Sequence, residues 1–331
     1  PAWQDAARRG ALAIDLDLAV RADPLRWPEQ LKEISQARGQ FEGFDGLSLD
    51  TVKFFVDGII ENHTASMLEE YADACSRGLP NWTVEDLKTA LVDVHEADFD
   101  IHLHAIGDAG VRAALDAIEQ LRRQDPNGTR RITIAHAQVI HPDDLGRFAE
   151  LGVAVCFQPL WARPDEIMTS LTLPRLGQHR QVQYQMGSVL RSGATITFGS
   201  DWPVSSPNVL EGITTAVTRQ NPDGSPLGGW QPEERLTVAQ ALDTASAAVR
   251  VQSRRGTDRG IIAAGNQADL VWLSHNPVSC NPEDIASVRV LATWRRGKNT
   301  YLGHELKTLE TSRQRLTNDS PTAEPNRRTN R

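Results

Sequence analysis

From residue 11 to residue 249 the chain repeats one unit: a short apolar run, then a stretch with helical periodicity. The runs lie at 11–20, 49–56, 99–105, 131–136, 152–158 and 194–198, and helical patterns cover 24–38, 83–97, 108–123, a segment after Pro142, 180–191, 208–219 and 236–249. Strand alternating with helix argues for a parallel sheet, because parallel neighbours need a crossover that a helix supplies. Thr83 before Glu85 and Asp86 reads as an N-cap, and Asp108 as another.

Several of these runs end in chemically active side chains. Lys53, His104, His136 and Asp201 sit at or near the C-terminal ends of four of them. His104 and His136 are 32 residues apart, His136 and Asp201 are 65, and Lys53 and His104 are 51 with the long excursion 57–82 between. A (β/α)8 barrel averages about 30 residues per unit and gathers its chemistry at the strand C-terminal ends. The spacings fit one, two and one such units, so the four side chains should converge on one mouth. Six strands can be counted and a closed barrel needs two more. The expected architecture is thus an α/β, TIM-like barrel with about strands three to eight present.

Beyond Gly260 the pattern changes to short β elements at 268–273 and 288–294, with turns at Gly265-Asn266 and Gly297. The expected division is a barrel portion over 1–259, part of a small β-sandwich over 260–303 and a polar, disordered tail over 304–331. Pro1 stands where a methionine is expected, which suggests that the true N-terminus is not seen.

Composition narrows the partners. A formal net charge of −8 and the lack of a basic patch argue against nucleic acid and anionic membrane. No apolar run is long enough to span a bilayer. Cys75, Cys156 and Cys280 are widely spaced, fitting a reducing, cytoplasmic setting and no disulfide framework. The expected partner is a small molecule; a homo-oligomer is left open.

Two histidines and an aspartate at strand ends suit a divalent ion of the zinc type. Each alone has an ordinary reading: a hydrogen-bonded core histidine, a snorkelling lysine, a turn-capping aspartate. In this order and spacing the set is hard to reach by chance. A lysine among them makes sense if it is carboxylated, which turns a cation into a bridging anion.

The motifs Val52-Lys53-Phe54-Phe55-Val56-Asp57-Gly58, His104-Ala105-Ile106-Gly107-Asp108, Ala135-His136-Ala137-Gln138 and Gly199-Ser200-Asp201-Trp202-Pro203-Val204 resemble the amidohydrolase superfamily. They look most like its amidohydrolase family 3, the branch similar to N-substituted formamide deformylase. Gly265-Asn266-Gln267-Ala268-Asp269-Leu270-Val271 resembles that superfamily's return to its β-sandwich. The resemblance implies a distorted barrel with one or two divalent metals, zinc foremost, hydrolysing non-peptide C–N bonds of N-substituted amides or formamides. It implies metal-ligand roles for Lys53, His104, His136 and Asp201, with Asp201 also handling the proton of the attacking water. The family's first-strand His-x-His pair has no counterpart here; His102-x-His104 lies on the fifth strand.

His63 in the excursion and Gln138 and Trp202 beside ligands are candidate substrate contacts. His102 reads as a barrel-lining residue, and His95, His141, His179, His275 and His304 show no ligand context. Two other readings compete: a truncated, inactive metal-binding remnant, and a metal-free barrel enzyme using Lys53 as a Schiff base. With the first-strand pair absent, weak metal binding and little turnover are expected of these 331 residues alone.

Overall fold

The computed structural model describes residues 2–177, 183–252, 254, 258–304 and 306. Six strands form one all-parallel sheet whose spatial order is their sequence order: β1 (Leu16–Arg21), β2 (Leu47–Phe55), β3 (Asp100–Ala105), β4 (Ile132–His136), β5 (Ala154–Phe157) and β6 (Ile196–Phe198). All six expected strands are present. The first is shorter than its alternating pattern, beginning at Leu16, whose N–H donates to the Gly46 carbonyl at 2.8 Å. Asp15, just before it, is committed to Arg259 and Arg295 instead of the strand.

Helices α1 (Ala2–Arg8), α2 (Gln30–Gly39), α3 (Val84–Glu96) and α4 (Asp108–Gln124) precede or link the first four strands. Thr83 caps α3 as expected, its hydroxyl accepting from the Asp86 N–H at 3.1 Å. Helix α4 buries Val111, Ala114, Leu115, Ile118 and Leu121, the stripe its 3.6-residue period predicts. Its N-cap is Gly107, not Asp108. Asp108 lies in the first turn, where its Oδ1 accepts from the N–H of Leu68, drawn in from the excursion.

The helix expected after Pro142 is broken into one 3₁₀ turn (Pro142–Asp144) and the single-turn α5 (Arg147–Glu150). Gly146 separates them, and the Asp144 carboxylate is held by Arg112 and Arg147. Helix α6 (Leu173–Leu176) and α7 (Met186–Arg191) follow β5. Residues 180–182 of the helix expected at 180–191 lie outside the described residues, as does His179; at Tyr184, with φ +48°, the chain is not helical. Helix α8 (Val209–Thr218) matches its pattern, whereas α9 (Val238–Ala245) stops at Ser246.

The sheet's two faces differ. On β2, Val52 and Phe54 are buried against the helices, and Phe54 packs on Trp82 with ring centroids 5.4 Å apart. Lys53 and Phe55 therefore stand on the opposite face, as alternation requires. On β3, Ile101 and Leu103 face the helices, which puts His102 and His104 beside Lys53 and Phe55.

A second, antiparallel sheet contains β7 (Leu270–Leu273), β8 (Val290–Arg295) and β9 (Lys298–Leu302) in that order. Arg296 (φ +52°) and Gly297 (φ +75°) turn the hairpin between β8 and β9, the left-handed pair a two-residue hairpin loop needs. Arg259 reaches Asp15 at 2.5 Å, and Arg295 joins it, tying this sheet to the start of β1. Among the described residues no helix is long and apolar enough to cross a membrane. The three cysteines are free. Residues 305 and 307–331, nearly all of the tail expected to be disordered, lie outside the described residues.

Candidate active site

Parallel pairing sets the heights of the site residues. Lys53 pairs in register with His102, Phe55 with His104, and Ala105 with His136, so the functional side chains climb towards the C-terminal edge from β2 to β4. Lys53 is half-buried, its Nζ 5.4 Å from the Phe55 ring centroid. Burial pushes its ammonium down to about 8, against the opposing pull of Cys156 and Asp201. That leaves about a tenth of the amine neutral at pH 7, far more than an ordinary lysine.

His104 Nε2 lies 3.0 Å from the Gly58 carbonyl oxygen, and its ring sits 5.1 Å from Phe55. His136 ends β4 with φ +75°, and Ala137 follows at φ +42°. This left-handed pair swings the imidazole off the strand's regular path. It meets His104 edge-on, with ring centroids 4.5 Å apart. Nδ1 of His136 is 2.6 Å from Gln158 Oε1, and its ring stacks on Trp161, 5.6 Å away and 8° from parallel. Burial holds His104 down at about 4 and His136 well below its ordinary value, so both rings are neutral. The hydrogen bonds leave Nδ1 of His104 and Nε2 of His136 as the nitrogens free to bind.

Asp201 follows β6 at an exposed position with φ +52°. Its charge bears on Lys53 and Cys156, raising the pKa of both. Among the described residues no three His, Cys, Asp or Glu side chains are grouped tightly enough to hold an ion. The donor chemistry nonetheless suits one: two neutral imidazoles with free lone pairs, a lysine with a depressed pKa and a carboxylate.

The candidate substrate contacts divide. Gln138 is buried, donates from Nε2 to Gln183 Oε1 at 3.1 Å and lines a cavity of about 460 Å³ beside Trp161. His63 is instead engaged with Asp73 at 2.8 Å and Tyr71, and Trp202, 68% exposed, does not line that cavity. His102 is half-buried, its Nε2 is enclosed without a hydrogen-bond partner, and desolvation drives it down to about 3.

Three residues of the site escaped sequence reading. Asp57, 1% exposed, accepts the N–H groups of Ser66, Ile106 and Gly107 at 2.9, 3.0 and 2.9 Å. It thereby fastens the excursion and the β3–α4 turn beneath His104, 3.7 Å away. Burial pushes its carboxyl up to about 7 despite those donors. Its signal was its place just past β2 in Val56-Asp57-Gly58. Gln158 and Trp161 orient and cover His136; their only signal was the Trp/Pro-containing loop after β5.

The profile of the amidohydrolase family matches residues 2–301. "Protein LONG AFTER FAR-RED 3" of Arabidopsis thaliana is 32% identical over 77% of the chain and 43% of its own length. The "Putative amidohydrolase YtcJ" of Bacillus subtilis is 27% identical over 91% and 54%, and the "N-substituted formamide deformylase" of Arthrobacter pascens 25% over 76% and 45%. The chain thus spans about half the length of the curated relatives it matches. Among solved structures, an uncharacterized metal-dependent hydrolase from Pyrococcus furiosus superposes with a TM-score of 0.64 at 26% identity, covering 80% of this chain and 51% of that one. One from Pyrococcus horikoshii OT3 gives 0.71 at 24%, covering 85% and 55%, a likeness of fold.

Proposed function

The chain belongs to the amidohydrolase family, and from that premise we propose that it carries the metal-binding half of a hydrolase for non-peptide C–N bonds, of the N-substituted amide or formamide type. The observation that carries this reading is the His104–His136 pair: two neutral imidazoles meeting edge to face, each with one nitrogen already fixed by the protein and the other free. In this reading both are ligands of a divalent ion, zinc foremost, with Lys53 in carboxylated form and Asp201 completing the set. A bound divalent ion lowers the pKa of a water molecule and polarises a carbonyl.

The chain's own residues do the rest. Gln158 accepts the Nδ1–H of His136 and so fixes its tautomer. Asp57 holds the turn under His104. The depressed pKa of Lys53 supplies the neutral amine that reaction with carbon dioxide requires. Asp201 takes the proton of the attacking water and returns it to the leaving nitrogen. The six parallel strands are strands three to eight of a barrel that two more would complete, and the antiparallel sheet is part of a β-sandwich. The small-molecule partner and cytoplasmic setting belong to the same proposal.

The test is metal content of the purified chain, then amide turnover with and without added zinc, on this chain and on a protein of the relatives' full length. Zinc-dependent turnover of N-substituted formamides supports the reading. Borohydride trapping of an adduct on Lys53 with a carbonyl substrate would instead favour the Schiff-base alternative.

A further inference from the structure

We propose that the cavity beside Trp161 binds an organic cation: a primary ammonium on a short apolar body, with the ammonium held by Glu61, Asp165 and the hydroxyl of Tyr184. The inference goes beyond the hydrolase reading and concerns binding alone.

The cavity has a volume of about 460 Å³, room for an arylalkyl chain. Ile106, Leu160, Trp161 and Met168 supply apolar wall. Among the described residues that line it, the carboxylates of Glu61, Asp165 and Glu211 stand against one guanidinium, that of Arg163. Arg163 also lines a neighbouring cavity of about 680 Å³, together with Asp223, Glu283 and Asp284. Its charge is shared with those acids, so the balance in the first cavity is negative. A cleft with one sign of charge and apolar walls concentrates ions of the opposite sign.

Charge alone would suit any counterion; Tyr184 narrows the choice. Its side chain is 3% exposed and lines the cavity, yet its hydroxyl makes no hydrogen bond among the described residues. A buried hydroxyl left without a partner is costly, and a ligand donor removes that cost. Burial and the charges of Glu61 and Asp165 hold the phenol well above its ordinary value, against the opposing charge of Arg219. Both acids also keep an oxygen in reserve. Glu61 accepts from the Thr172 hydroxyl through Oε1 at 2.5 Å, and Asp165 from the Met168 N–H through Oδ1 at 2.9 Å. Neither Oε2 of Glu61 nor Oδ2 of Asp165 has a protein donor among the described residues. An ammonium carries three donors and no acceptor, which matches two carboxylate oxygens and a phenol oxygen. The rings of Trp161 and Tyr184 in the same wall add attraction for a cation. An anionic ligand would set charge against charge.

The test uses three probes with one apolar body: 3-phenylpropylamine, 3-phenylpropan-1-ol and 3-phenylpropionate, which are cationic, neutral and anionic at neutral pH. Calorimetry on the chain gives each affinity. The amine should bind about tenfold more tightly than the alcohol, the size of one hydrogen bond to a charged group, and the carboxylate more weakly than the alcohol. Glu61→Gln and Asp165→Asn should each remove most of the amine's advantage and leave the alcohol's affinity unchanged. Tyr184→Phe should reduce the advantage about threefold. Urea denaturation of each variant identifies those that fold, and two separate acid substitutions keep the comparison on folded protein. The amine should also quench tryptophan fluorescence, and Trp161→Phe should abolish that quenching. Equal affinities for amine and alcohol, a carboxylate that binds as tightly as the amine, an amine preference that survives both acid substitutions, quenching that persists in Trp161→Phe, or no binding of the amine would each overturn the inference. Metal content and amide turnover do not enter, so the hydrolase reading stands or fails separately.

Discussion

The His136 imidazole lies flat on the Trp161 indole, 5.6 Å between centroids and 8° from parallel, while its Nδ1 is held by Gln158 at 2.6 Å. Stacking fixes the plane of the ring and the hydrogen bond fixes its rotation and tautomer. The other nitrogen is left without a protein hydrogen bond, and both constraints come from the loop after β5.

Loss of the Gln158 contact should therefore weaken metal binding without unfolding the chain. Gln158→Leu keeps much of the side-chain volume but removes the acceptor. The expected loss in zinc affinity is about 10–100-fold, the usual effect of removing a partner that orients a metal-binding histidine. Competition against a chelator of known affinity measures it, and an unchanged zinc affinity would mean that Gln158 does not orient a ligand.

Asp57 bears on stability. Asp57→Asn replaces one of two acceptor oxygens by an amide that points donors at the N–H groups of Ser66, Ile106 or Gly107. Leaving buried donors unpaired costs about 1–3 kcal/mol. Urea denaturation of the variant should show a lower midpoint with an unchanged slope; coincident curves would show that the asparagine is accommodated.

Asp201→Asn tests the proton-transfer role in a protein of the relatives' full length. The residue is exposed, so the fold should persist. The amide cannot take a proton, and turnover should fall by about 10²–10⁴-fold. Near-normal hydrolysis of a good substrate by this variant would assign the base elsewhere.

Asp15 sets a pH dependence of stability away from the site. Burial alone would raise its carboxyl, but hydrogen bonds from Arg259 and Arg295 and the charge of Arg296 outweigh that and hold it at about 2. Its folded pKa thus lies below the ordinary 3.8, so its stabilisation is present above 3.8 and is lost as pH falls through about 2. The stability difference between the unaltered chain and Asp15→Asn should be full at about pH 6 and shrink towards pH 2. A difference constant with pH would show that these ion pairs do not act through the folded state.

The sequence by itself determined the six parallel strands, their order and the strand-end positions of Lys53, His104 and His136. These follow from local alternation, from the helical stripe of α4 and from the near-constant length of a strand–helix unit, all of which are one-dimensional signals. The Thr83 cap was legible for the same reason, since it joins residues three apart. Tertiary structure decided what surrounds those side chains. Asp57 meets Ile106 and Gly107 across about fifty positions of sequence, and Gln158 meets His136 across 22. Nothing local in Val56-Asp57-Gly58 or in the loop after β5 announces a partner that far away. The same holds for Asp108, whose cap geometry was overridden by the N–H of Leu68, 40 residues away, and for Trp202 and His63, which neighbour the motifs in sequence but do not line the cavity. Periodicity reports which face a residue takes; only the packing of the loops above the sheet decides which side chains then touch, because those contacts are made between segments whose separation no local pattern encodes.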